Sequence, residues 1–107
     1  MSNSVVIFEI STTKYETDKT LVSSVMDDLQ SLCGVTNGFL LSTPVEKFGW
    51  TFFKILFKSE LLSGLQEKFG TIIINLKGKA FQEKFTEFIT KFFESKNCKV
   101  RMKLVEG

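Results

Sequence analysis

Thr71-Ile72-Ile73-Ile74-Asn75-Leu76-Lys77 is the stretch that settles how the rest of this chain assembles. The isoleucine triplet between Gly70 and Gly78 predicts a strand, because branched side chains pack well on a pleated surface and glycines punctuate it. Upstream, Ser59 is placed to cap a helix bearing Leu61, Leu62, Leu65 and Phe69, with Gly70 as its stop. Before that, Trp50-Thr51-Phe52-Phe53-Lys54-Ile55-Leu56-Phe57 is the strongest strand signal in the chain.

Further out, Phe39-Leu40-Leu41-Ser42-Thr43 reads as a short strand stopped by Pro44, which has no N–H to give a ladder. Leu21, Val22, Val25, Met26, Leu29, Leu32 and Cys33 recur at helical spacing, with Asp18 as cap and Gly34 as left-handed stop. Val5-Val6-Ile7-Phe8-Glu9-Ile10 is a central strand. Downstream, Phe81, Phe85, Phe88, Ile89, Phe92 and Phe93 form one apolar helical stripe, ended by Asn97. Cys98, Val100, Met102 and Leu104 then alternate with Lys99, Arg101 and Lys103, the pattern of a half-buried strand.

The order is therefore β-α-β-β-α-β-α-β, and the expected fold class is α+β. Its first six elements match the ferredoxin-like βαββαβ layout, with an added C-terminal helix and strand, in a two-layer sandwich. Residues 1–107 are expected to form one domain, since a chain this long buries roughly 65% of its unfolded surface.

In that layout both core helices lie on one side of the sheet. If the last strand pairs in parallel beside the fourth, the right-handed crossover puts the third helix on that side too. Strand parity then sends Val6, Phe8, Ile10, Phe53, Ile55, Phe57, Ile72, Ile74, Leu76, Val100, Met102 and Leu104 under the helices. The bare face receives Val5, Ile7, Glu9, Leu40, Trp50, Phe52, Lys54, Leu56, Ile73, Asn75, Lys99, Arg101 and Lys103. The alternative places the last strand at the far edge, swinging the Phe-rich helix over this face. The cations of the last strand favour the open arrangement.

Composition bounds the rest. Hydrophobic residues are 43% and charged residues 24%, ordinary for a globular chain. Twelve Phe against one Tyr and one Trp imply an aromatic core with few buried polar tips. Residues 1–70 carry six lysines against eight acids, and residues 71–107 eight basic residues against four acids, so the C-terminal part is basic. Cys33 and Cys98 fall on apolar faces and read as free thiols. Met1-Ser2-Asn3-Ser4 leads into the first strand with no basic n-region, and no apolar run approaches the roughly 20 residues of a bilayer span. A cytoplasmic protein with no membrane partner is expected.

Chemistry is sparsely supplied. Histidine, the commonest general base and metal ligand, is missing. Asp27 and Asp28 read as a solvated helix face, Glu9 as a cross-strand ion pair with Lys54, and Lys77-Gly78-Lys79 as a turn with solvated lysines. No catalytic residue, cofactor or metal is assigned. Trp50, Phe52, Lys54, Lys99, Arg101 and Lys103 are the candidate binding residues: aromatics edged by cations on one sheet face.

Lys47-Phe48-Gly49-Trp50-Thr51-Phe52-Phe53-Lys54-Ile55 resembles the aromatic third-strand motif of RNA-recognition-motif domains in layout. The order of glycine and aromatics differs, Val5 and Ile7 stand where that family has a ring, and residues 78–107 have no counterpart. The expected role is thus a small non-catalytic, regulatory protein that binds a protein partner, an inhibitor of a host protein being one form of it, or that homodimerises through this face. Single-stranded RNA or DNA binding is the alternative that the resemblance implies.

Overall fold

A computed structural model describes residues 5–76 and 80–106. The elements are β1 (Val6–Thr12), α1 (Tyr15–Leu32), β2 (Phe39–Leu41), β3 (Val45–Lys47), β4 (Trp50–Phe57), α2 (Ser59–Ile74), α3 (Phe81–Ser95) and β5 (Arg101–Glu106). They form a mixed α+β structure with three helices and a five-stranded antiparallel sheet in the order β2-β4-β1-β5. β3 also pairs with β4, and since β1 holds the other edge of β4, β2 and β3 lie end to end along one edge. Pro44 sits in the break between them.

The largest departure from the sequence reading is at residues 71–76, the last residue of that expected strand, Lys77, lying outside the described residues. Thr71 to Ile74 continue α2 through Gly70, and Asn75 caps it. The branched triplet's strand preference yields to packing: Ile73 is buried on the face that already buries Leu61 and Leu65, while Ile72 and Ile74 are exposed. β5 completes the change. It pairs antiparallel with β1, not parallel beside a fourth strand, and so fills the edge a strand at 71–77 would have used.

Several boundaries move for smaller reasons. Lys14, not Asp18, holds the N-cap position of α1; the Asp18 carboxylate instead accepts from Thr12 Oγ1, which in turn accepts from the Lys14 N–H at 2.8 Å. Ser59 is the first residue of α2, after Lys58. Gly34 and Asn97 do take left-handed conformations after α1 and α3, with φ of 69° and 63°.

All three helices pack on one face of the sheet. Phe8 and Ile10 of β1 and Phe53, Ile55 and Phe57 of β4 are sealed beneath Val22, Val25, Met26 and Leu29 of α1, Leu61, Leu65 and Ile73 of α2, and Phe85, Ile89 and Phe93 of α3. Phe85 locks α3 in place, its ring 6.0 Å from that of Phe8 and 5.8 Å from that of Phe57. Tyr15 meets Phe53 edge-on at 5.3 Å, and Phe69 joins Phe88 at 5.1 Å between α2 and α3. Gly64 lets α2 approach the end of α1: a Cβ there would lie 2.9 Å from Cys33 Cβ. Among the described residues no helix is long and apolar enough to cross a membrane.

Candidate interaction face

Because β1, β4 and β5 alternate, the side chains opposite the core share the helix-free face. The register arranges them in rows. Leu40, Leu56, Ile7 and Glu106 form the first, and Lys54, Glu9 and Lys103 the second. Val45, Phe52, Ser11 and Arg101 form the third, and Lys47 and Trp50 the last. Leu40 and Val45 are more than half exposed, and Trp50, Phe52, Leu56 and Ile7 are partly buried. The Arg101 guanidinium sits 5.7 Å from the centre of the Trp50 ring, holding a cation on the aromatic face.

Of the residues expected at the site, Trp50, Phe52, Lys54, Arg101 and Lys103 are therefore brought onto one surface. Lys99 is not: β5 begins at Arg101, because Cys98 is drawn under the helices with its N–H donating to Phe93 O at 3.0 Å, and Lys99 lies exposed before the strand. Of the residues expected on this face, Ile73 lies in α2 and Asn75 caps that helix. Glu9 stands directly opposite both Lys54 and Lys103, yet no ion pair to either lysine closes among the described residues.

A shallow depression of about 510 Å³ opens on this face, lined in part by Glu9, Ser42, Val45, Lys47, Phe52 and Lys54. Ser42 shapes it: its N–H donates to Lys54 O at 2.9 Å and its hydroxyl accepts from the Lys54 N–H at 2.8 Å, pinning the chain just before Pro44.

The residue that sequence reasoning missed is Phe48. It forms the tip of the β3–β4 hairpin with Gly49, both in left-handed conformations (φ 54° and 81°), and its side chain is 100% exposed. A two-residue turn of this kind ordinarily takes Asn-Gly, since a bulky residue at positive φ is strained. Phe-Gly between two strands was the available signal.

Several charged groups away from this face have structural partners. Asp28 pairs with Lys96 at 3.5 Å, Asp27 accepts from Gln30, and Lys19 lies over the Tyr15 ring at 5.7 Å. Burial pushes both thiols up from 9.0, with Lys68 opposing the shift at Cys33 and Asp18 adding to it at Cys98. The described residues hold no cluster of three or more metal-ligating side chains. Lys77-Gly78-Lys79 lies outside them.

Comparison with protein-family models, with curated proteins and with solved structures finds no match to this chain.

Proposed function

We propose that this chain is a non-catalytic interaction protein that binds an acidic protein partner through the open sheet face, regulating or inhibiting that partner. The observation that carries the reading is an aromatic centre, Trp50 and Phe52, on the face that no helix covers, in the strand that follows a strained and fully exposed Phe48 at the hairpin tip. Aromatic and arginine anchors inside a polar rim are where binding energy concentrates in protein interfaces. Strain at an exposed turn is the kind of cost that function retains. Lys47, Lys54, Arg101 and Lys103 against Glu9 and Glu106 give the face its positive sign, so a partner with acidic groups complements it.

A second copy docked face to face would oppose like charges, which makes a homodimer the weaker form of this reading. Single-stranded RNA or DNA is a second reading, favoured by the same aromatics and cations. Against it, Arg101 already occupies one face of the indole that a base would stack on. We also read the sheet order, with α1 as one crossover and α2–α3 as the other, as a variant of the ferredoxin-like layout, and the working compartment as the cytoplasm.

The test is affinity capture from the native cell followed by binding measurements with the purified captured protein. Trp50→Ala should weaken binding at least tenfold, about 1.4 kcal/mol, in keeping with a hot-spot aromatic. Lys54→Glu with Lys103→Glu should slow association most at low salt. Affinity unchanged in both variants would refute the proposal. Retention of a labelled oligonucleotide at low salt, lost in Trp50→Ala, would hand the face to nucleic acid.

A further inference from the structure

The two edges of the sheet differ. One is made of β2 and β3, three residues each, with Pro44 in the break between them. Short strands and proline are common means of keeping an edge from pairing further. The other edge is β5, with six residues, and Arg101 to Leu104 keep unbroken register against Ser11 to Phe8. In an antiparallel ladder alternate residues turn their N–H and C=O groups away from the neighbouring strand, so β5 presents a row of them outward. Among the described residues no backbone group outside β1 bonds to β5.

The side chains of this edge set what can pair with it. Met102 and Leu104, opposite Ile10 and Phe8, lie on the helix side and are only partly buried where they pack against the core. Apolar residues on an added strand would extend that layer and cover them. Arg101 and Lys103, opposite Ser11 and Glu9, lie exposed on the helix-free side. Lys103 closes no ion pair among the described residues, although Glu9 is its cross-strand neighbour. Acidic residues on the same side of an added strand would give it one, and opposite charges across strands stabilise a pair. Glu106, past the register shift, stands opposite Ile7 and ends the cationic stretch.

A second copy of β5 complements this edge poorly. Pairing Met102 with Leu104 across a two-fold axis opposes the two copies of Lys103, and pairing the two copies of Met102 opposes Lys103 to Arg101. We propose that the outer edge of β5 takes up an extended segment of an acidic partner as a further strand. Its carboxylates face Arg101 and Lys103, and its apolar side chains lie beside Met102 and Leu104. This rests on the acidic partner inferred above and gives that partner's contact segment a conformation and a residue pattern.

The experiment follows the fluorescence anisotropy of a short fluorescein-labelled peptide that alternates Val and Glu, blocked at both ends, as the full chain is added. The proposal expects saturable one-to-one binding, at least tenfold weaker when Lys replaces Glu. N-methylating the Val amides and N-methylating the Glu amides should differ at least tenfold in effect, since only alternate N–H groups of an added strand face β5. Lys103→Glu should weaken the Glu peptide at least tenfold and favour the Lys peptide, with an unchanged circular-dichroism spectrum. No saturable binding, equal binding of the two peptides, equal effects of the two methylations, or full binding by Lys103→Glu would overturn the proposal. So would a dimer seen by light scattering that the peptide dissociates, since a second copy would then be the occupant of the edge. If the peptides fail while Trp50→Ala weakens the captured partner, this inference falls and the open-face reading stands; peptide binding with an unaffected Trp50→Ala complex gives the reverse.

Discussion

Alanine substitution along Ile72, Ile73 and Ile74 distinguishes the helix from the strand that the sequence suggests. As part of α2, Ile73 is 1% exposed in the core, while its neighbours are 54% and 59% exposed. Removing a buried isoleucine side chain to alanine costs about 2–5 kcal/mol, from lost burial and the cavity left behind. For a domain near 100 residues each kcal/mol moves Tm by about 4–8 °C, so Ile73→Ala should lower Tm by roughly 10 °C or more. At the two exposed positions the effect should stay within about 0.5 kcal/mol, helped by alanine's better helix propensity. Urea denaturation followed by circular dichroism at constant m-value gives the three differences. A strand would invert the pattern, since residues 72 and 74 would then share the core face. Large losses at 72 and 74 with a small one at 73 would refute the helical assignment.

Two further outcomes follow from single positions. Gly64→Ala should destabilise, because its Cβ would press on Cys33 at 2.9 Å and on Val35 at 3.3 Å, an overpacking cost of about 1–3 kcal/mol that outweighs the helix-propensity gain; a raised Tm would show that the α1–α2 contact is looser than described. Both thiols titrate above their unfolded value of 9.0, so the stability they contribute in protonated form is present below pH 9 and lost as pH rises through their folded values. Thiol labelling at pH 7.5 should accordingly reach Cys33 before Cys98, which is 1% exposed, and labelling of Cys98 first would contradict its burial.

How far the chain could be read depended on which force dominated each segment. Strand parity in β1, β4 and β5 was legible because one face is dry: Phe8 and Ile10 alternate with Ile7 and Glu9, and Phe53, Ile55 and Phe57 with Phe52, Lys54 and Leu56. The stripe from Phe81 to Phe93 was legible for the same reason at helical period. Residues 71–74 misled because local preference and tertiary packing disagree there. Leu61, Leu65 and Ile73 share a helical face, but Gly70 breaks the pattern by eye, and only the arrival of β5 beside β1 removes the strand's place. Lys99 misled because Cys98 and Val100 continue the alternation of Met102 and Leu104, although the strand itself starts two residues later. Phe48 was overlooked because its exposure depends on a turn geometry that a Phe-Gly pair rarely adopts.

Trp50 is the sole tryptophan, so its fluorescence reports on the open face with no other indole to confuse it. In dilute, partner-free protein, iodide should quench Trp50 efficiently and caesium poorly, because Arg101 and Lys47 gather anions around a half-exposed ring. An indole shielded from both ions would mean that the face is covered, and stronger quenching by caesium would mean that it is not basic.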